Sequence, residues 1–273
     1  MFKGYELEPL CVKREGFKGI NQVRFVPKNK SIEVEVVYDL EVPDQIKDNG
    51  RYMGVDLGVD NLAVIANNYG ENPIIINGKG LKAINAYYNK TLATLKSFAM
   101  SFNKVYTTKR IANLVNKRNR KIEDKMHKAS RKLVEYAREQ RVSVIVIGKN
   151  KDWKKKVNMG HVNNQNFVSI PFNTFIHMVE YKAEEYGIKV IQVDEKYTSG
   201  TSFLDDELPE KAYYKKSRRK TRGCFVSNKG IQINADVNAA YQMIKKVFMG
   251  SAYSKDVVNL IKGKALCPVV VNI

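Results

Sequence analysis

Apolar and polar positions alternate from residue 21 to 42 (NQVRFVPKNKSIEVEVVYDLEV), with β-branched side chains prominent, and Pro-Lys-Asn-Lys interrupts the run. That pattern predicts a β-hairpin. A two-stranded hairpin is marginal by itself, so it is expected to pack on more protein. After a polar linker from Pro43 to Gly50, three short strand-like pieces follow at Tyr52 to Leu57, Leu62 to Asn67 and Pro73 to Asn77, a meander. The period then lengthens to that of a helix, around Asn85 to Phe102 with Leu92, Leu95 and Phe98 in register. A long basic helix follows to Arg141, with Ile111, Leu114, Val115, Ile122 and Leu133 as its apolar positions. Residues 141 to 148 (RVSVIVIG) form a continuous β-branched run, read as a central buried strand. The pattern then repeats: a helix from Pro171 to Tyr186 closed by Gly187, and a second buried strand from Ile188 to Val193. An irregular insert, 196 to 232, precedes a last helix from Asn234 to about Phe248.

Composition adds a partner class. The chain has 273 residues and a formal net charge of +19, with Lys+Arg 47 against Asp+Glu 28. No apolar run approaches the roughly 20 residues that cross a bilayer, and the N-terminus has no apolar core of a signal peptide, so a cytoplasmic protein is expected. Cys11, Cys224 and Cys267 are too dispersed for a disulfide framework or a zinc knuckle. The positive charge is concentrated in three runs. Lys109 to Arg141 carries 12 Lys/Arg against 4 Asp/Glu; Lys149 to Lys156 has 5 lysines and 1 aspartate; Lys211 to Arg222 has 7 basic residues, no acid, and Tyr213 with Tyr214. Each run could be a solvated face, but three together, two with aromatics able to stack on bases, point to nucleic acid rather than a membrane. The residues expected to face it are Lys117, Arg118, Arg120, Lys121, Lys154, Lys155, Lys215, Lys216, Arg218, Arg219 and Arg222.

The order of elements fits an α/β protein of ribonuclease-H-like (RuvC-type) arrangement, with a five-stranded mixed sheet whose first, fourth and fifth strands are adjacent. Several α/β folds begin this way, and the carboxylates discriminate. Asp56 stands in Met-Gly-Val-Asp-Leu-Gly, in a strand expected to be buried, where an ionised carboxylate needs a cation or hydrogen bonds. Asp60 reads as a turn aspartate beside Asn61. Asp236 lies in the first turn of the last helix, where an acid is common for dipole reasons alone. In this arrangement, however, that helix start packs over the first strand and brings Asp236 to Asp56. Two such carboxylates would repel unless divalent cations lay between them, and paired metals about 3.5–4 Å apart serve phosphodiester hydrolysis.

Three stretches resemble the TnpB (OrfB) family of insertion-sequence accessory proteins: Gly54-Val-Asp-Leu-Gly-Val with Asn61-Leu-Ala, Ile76-Asn-Gly-Lys-Gly-Leu-Lys-Ala-Ile-Asn-Ala-Tyr-Tyr-Asn-Lys, and Asn234-Ala-Asp-Val-Asn-Ala-Ala-Tyr. The resemblance runs from residue 21 to about 248. It implies an RNA-guided DNA endonuclease related to type V CRISPR effectors, with three acids, Mg2+ (two ions), a guide RNA and target DNA. The family carries its second acid at the end of the fourth strand, where this chain has Ile147-Gly148-Lys149. The fifth strand ends in Val193-Asp194-Glu195, and strands lie about 4.8 Å apart, so an acid one strand over has the reach. Alternation lets only one of the two face the centre, and Glu195 is the choice. Catalytic and metal-binding roles therefore fall to Asp56, Glu195 and Asp236.

Relatives often place two CxxC pairs in the insert, but here it holds only Cys224, so no zinc is expected there and a metal-free packing must replace it. The expected layout is residues 1–50 as a remnant of a wedge or β-barrel domain, 51–195 and 233–250 as the nuclease domain, 196–232 as the insert and 251–273 as a C-terminal tail. Relatives carry a recognition lobe ahead of this region, so a separately encoded N-terminal lobe or a transposase is an expected partner, in a prokaryotic or phage mobile element. The alternatives are a non-cleaving DNA- or RNA-binding remnant, and a basic protein whose charge serves docking only.

Overall fold

The computed structural model describes residues 16–28, 31–149, 170–248 and 255–273. The chain divides into two units, Met1–Pro43 and Asp44–Ile273. The first is the expected hairpin, β1 (Phe17–Lys28) paired antiparallel with β2 (Ser31–Leu40). Its apolar side chains, among them Ile20, Phe25 and Ile32, are about half exposed. Cross-strand ion pairs Arg24–Glu35 (3.0 Å) and Lys28–Glu33 (3.4 Å) support the register.

The second unit is built on a six-stranded mixed sheet. β3 (Tyr52–Leu57), β4 (Asn61–Asn67) and β5 (Ile74–Asn77) form the antiparallel meander. β6 (Val144–Gly148) joins β3 in parallel, and β7 (Lys189–Val193) joins β6 in parallel. The expected sheet thus gains a strand. Residues expected as a tail form a helix, Lys255–Ala265, and β8 (Val269–Val271), which pairs in parallel with β5 and completes the order β8-β5-β4-β3-β6-β7. The C-terminus is tied down further by Lys125 Nζ, which donates to the Ile273 carbonyl at 2.6 Å. β6 is buried throughout, as its sequence predicts, whereas β7 is a half-exposed edge strand and not the second buried strand expected.

Period-2 alternation assigns the two faces of β3. Met53, Val55 and Leu57 point into a core closed by α2 (Lys109–Glu139) and α3 (Phe172–Glu184). Tyr52, Gly54 and Asp56 point the other way, toward α4 (Ala235–Val247), while α5 (Lys255–Ala265) packs by Ile261 and Ala265 in the cluster that holds Val64 and Ala66 of β4. α1 (Lys79–Asn103) starts six residues before the expected helix. Of its three expected apolar positions none is buried, and Phe98 is exposed; only Leu81, Asn85 and Ala99 are buried. The distal half of α1 therefore runs past the core. Among the described residues no helix is long and apolar enough to cross a membrane.

Candidate active site

Gly54 sets the position of α4. A Cβ at Gly54 would collide with the Ala240 carbonyl oxygen and lie 2.8 Å from Ile244 Cγ1, so the helix rests directly on the strand backbone. One helical turn back from Ala240 is Asp236, and two strand residues on from Gly54, on the same face, is Asp56. That single contact brings the two aspartates to one place. Asn234 caps the helix, its side chain accepting from the Asp236 and Val237 amides at 3.0 and 3.2 Å.

Glu195 enters from the neighbouring strand. Its Oε1 is buried and lies 2.8 Å from where a Cβ at Gly148 would stand. The glycine at the end of β6 leaves room for the carboxylate that arrives from the end of β7. Lys246 of α4 donates to the carbonyls on either side, Asp194 (2.7 Å) and Lys196 (2.9 Å), and Thr198 Oγ1 donates to the Glu195 carbonyl (2.7 Å). Asp194 is exposed and accepts from the Lys196 amide at 2.9 Å, so of the two adjacent acids it is Glu195 that faces Asp56.

Electrostatics registers the convergence. Burial pushes the Asp56 carboxyl well above the usual carboxylate range; the charges of Asp236 and Glu195 push it further, and Arg219 opposes them in part. Asp236 is held at both oxygens: Asn61 Nδ2 donates to Oδ2 at 2.9 Å and Arg219 Nη2 to Oδ1 at 3.2 Å. Among the described residues no three His, Cys, Asp or Glu side chains are set to hold a metal ion as they stand. The donors are nevertheless carboxylate oxygens close enough for the charges of Asp236 and Glu195 to raise the Asp56 carboxyl, the donor chemistry that suits a hard divalent cation. A cation would relieve the repulsion at Asp56, and Arg219 now does so incompletely.

The basic residues divide. Lys117, Arg120, Lys121, Lys215 and Lys216 are exposed. Arg222 is half exposed and lies 3.7 Å from Asp60, which also pairs with Lys82; that lysine's hydrogen bond holds the Asp60 carboxyl below its ordinary range. Lys154 and Lys155 lie outside the described residues. Two expectations need correction. Arg218 is not available to nucleic acid: it is buried, forks onto Glu207 (Nη2 to Oε1 2.7 Å) and reaches Asn228. Arg118 is drawn between the helices, donating twice to Asn85 Oδ1 at 2.9 and 2.7 Å. Arg219 is partly exposed and stands beside Asp236 at the acidic centre. Asn61, Lys246 and Gly148 went unassigned from sequence; only Asn61 had a signal, its place in a motif beside Asp56.

The insert is fastened to α4 by side-chain contacts. Phe203 stacks on Tyr241 of α4 with ring centroids 4.2 Å apart. Asn238 Oδ1 accepts from the Phe203 amide (2.9 Å) and its Nδ2 donates to the Thr201 carbonyl (2.8 Å), while Lys245 Nζ donates to Asp206 (2.5 Å).

Comparison with known proteins agrees with this layout. The OrfB_IS605 family model, described as a probable transposase, matches residues 35–154, and a Cas12f1-like TNB domain model matches residues 172–243. The TnpB-like protein ORF457 of Acidianus two-tailed virus is 25% identical over 205 residues, covering 72% of this chain and 42% of that protein. The CRISPR-associated endodeoxyribonuclease Cas12f2 of Micrarchaeota archaeon (strain CG1_02_47_40) is 27% identical over 237 residues, covering 82% of this chain and 42% of that protein. The chain thus spans about two fifths of the length of these curated relatives (42%). Two cryo-EM structures share the fold with a TM-score of 0.53. The Cas12f1–sgRNA–target DNA complex does so at 19% identity over 79% of this chain and 58% of that one, and a CRISPR-Cas12f ternary complex at 18% identity over 81% and 44%.

Proposed function

Because the chain belongs to the TnpB (OrfB) family, we propose that its second unit is a ribonuclease-H-like, RuvC-type nuclease centre that hydrolyses DNA phosphodiesters, with a guide RNA directing it in the complete assembly. The observation that carries this reading is the meeting of Asp56, Glu195 and Asp236, from three distant points of the chain, on one face of the sheet. In this reading residues 51–195 and 233–250 are the nuclease domain, 196–232 is a zinc-free insert, and the β1–β2 hairpin within residues 1–50 belongs to a wedge or β-barrel domain. In this reading the protein works in the cytoplasm of a prokaryotic host of a mobile element, with DNA, guide RNA and a transposase as partners.

Asp56, Glu195 and Asp236 would hold divalent metal, Mg2+ in this reading, which would supply an activated water and charge stabilisation at the leaving oxygen. The chain's own groups do the rest. Asn61 holds Oδ2 of Asp236 by a hydrogen bond, and Lys246 fixes the backbone from which Glu195 reaches in. Arg219, beside Asp236, is placed to hold the negative charge of a phosphate once it leaves the carboxylate. Lys215, Lys216 and Arg222 on the same insert hold the strand by its phosphates.

The test is cleavage of end-labelled single-stranded DNA by the purified full chain with Mg2+. Fragments are expected, and Asp56→Ala and Glu195→Ala should each reduce them to background, whereas Asp194→Ala should not. A wild-type chain that binds the strand in a salt-sensitive way and never cuts it, with or without guide RNA and an added N-terminal lobe, overturns the nuclease reading. It would favour the second one, a binding protein with an idle centre, for which the Arg219–Asp236 pair is the specific support.

A further inference from the structure

The helical arm formed by α1 and α2 carries an exposed aromatic face that neither the core nor the acidic centre uses. Phe98, Phe102 and Tyr106 are 58%, 77% and 82% exposed. The two phenylalanine rings lie one turn apart with centroids 6.0 Å apart and planes within 18°, so they present near-parallel faces. Ala99 is the one buried residue of α1 after Asn85. The turn beyond is ordered by its own bonds: Val105 N–H donates to the Ala99 carbonyl, and Thr108 Oγ1 caps α2 by accepting from the Ile111 amide at 3.3 Å.

Charge complementarity indicates what covers this face. From Asn72 to Ile122 the chain has no aspartate or glutamate and eleven lysines and arginines. Lys96, Lys104, Lys109 and Arg110 flank the aromatic residues along the chain and are exposed. A protein-docking face of this size would be expected to mix charges; rings set in unrelieved positive charge suit a polyanion with flat apolar groups, which is single-stranded nucleic acid. Direction identifies which strand. β3, β5, β6 and β7 run the same way, and the acidic centre lies at their C-terminal ends. α1 starts at that end too, just after β5, where the Gly78 amide donates to the Asp60 carbonyl at 2.9 Å. The part of α2 that packs on the sheet is its second half, from Ile122 to Ala137, so the arm projects beyond the acidic end.

We propose that the Phe98–Phe102–Tyr106 face is a base-stacking platform for single-stranded DNA on its way to or from the acidic centre. The proposal rests on the reading that the chain handles nucleic acid, but not on its cutting.

The test measures binding of fluorescein-labelled dT20 by the full chain in EDTA at about 0.1 M salt, where no metal-dependent cleavage occurs. Each of Phe98→Ala, Phe102→Ala and Tyr106→Ala should weaken binding about fivefold or more, the lower end of what one stacked base contributes. Phe98→Tyr with Phe102→Tyr should bind like wild type. The alanine variants should keep the wild-type dependence on salt, whereas Lys104→Ala/Lys109→Ala/Arg110→Ala should lower the log–log salt slope by about 2. A 2-aminopurine strand should lose fluorescence on binding to wild type and recover it with the alanine variants. Unchanged affinity in the alanine variants overturns the platform while leaving the nuclease reading intact. So does loss of affinity for an RNA strand only, or loss of self-association with DNA binding preserved. If wild type binds no nucleic acid, both readings fall; if binding follows the aromatics but Asp56→Ala cuts like wild type, only the reading of the acidic centre falls.

Discussion

Two neighbouring arginines, Arg218 and Arg219, each meet a carboxylate, and they do so under opposite conditions. The Arg218–Glu207 pair is closed off, with side chains 7% and 10% exposed; the Arg219–Asp236 pair is open, at 34% and 21%. Glu207 also accepts from the Ser202 amide at 2.8 Å and from Asn228 at 3.2 Å, so both of its oxygens are fully engaged. Asp236 shares its site with two other acids that a single guanidinium does not neutralise. The first pair works as a cross-link that fixes the insert. The second is an exchangeable contact, because water reaches it and a better cation could replace it. Burial and completeness of hydrogen bonding, not the chemistry of the partners, separate a structural ion pair from a functional one.

The largest consequence should appear on breaking the closed pair. Arg218→Ala leaves Glu207 buried and uncompensated, and should cost about 3–5 kcal/mol, read as a lower denaturation midpoint and as protease cutting within residues 196–232. Arg218→Lys should recover little, since an ammonium cannot make the two-pronged contact. Removing both charges, Arg218→Met with Glu207→Gln, should restore most of the loss. If Arg218→Ala is as stable as wild type, the contacts of Phe203, Asn238 and Lys245 suffice to hold the insert, and the contrast between the arginines disappears.

Acid should affect the same pair next most strongly. Burial raises the Glu207 carboxyl, but Arg218, the Ser202 amide and Asn228 outweigh it, so its pKa lies below the ordinary glutamate value. A carboxyl depressed in the folded state gives stability that is complete above its unfolded pKa, about 4.3, and is lost as pH falls through the lower folded value. Unfolding scans of wild type from pH 6 downward should therefore steepen below about pH 4.3. Glu207→Gln, less stable at neutral pH by about 1.5–3 kcal/mol for its charged hydrogen bonds, should show a flatter acid limb.

The open pair should behave differently. Arg219→Ala should change stability by no more than about 1 kcal/mol, the range of exposed ion pairs. It should, however, tighten Mn2+ binding to the acidic centre, followed by water-proton relaxation, by up to about fivefold, because a competing cation has gone. Cleavage should fall even so, for want of the charge beside the phosphate. Weaker Mn2+ binding in this variant would mean that Arg219 orients Asp236 instead of competing for it.

These arginines also mark where sequence stops being informative. The meander, the buried β6 and the carboxylate in β3 were legible because each is a local pattern: alternation, an apolar run, or a charge in an apolar run. Glu195 was legible by combining a missing acid at Gly148 with the spacing of strands. Nothing local distinguishes Arg218 from Arg219, whose partners lie 11 and 17 residues away along the chain. β8 was missed for a similar reason, since three residues carry no period and pair with a strand nearly two hundred positions earlier. Phe98 was misread because helical spacing reports a stripe, and not whether a core lies under it; the arm continues after the core ends.

Lys246 supplies the smallest effect and the sharpest limit on the comparison. It is a cation near the same centre, yet it holds no carboxylate; it spans the carbonyls of Asp194 and Lys196 and so fixes the backbone of the residue between them. Lys246→Met keeps the alkyl chain and gives up two solvent-facing hydrogen bonds, so stability should fall by only about 0.5–1 kcal/mol. If Glu195 depends on that clamp, Mn2+ binding should weaken in this variant, opposite in sign to Arg219→Ala, although each change removes one positive charge next to the acids. A long-range electrostatic effect would move both variants the same way. Opposite shifts would show that placement of the carboxylate, and not the local sum of charge, governs what the centre can hold.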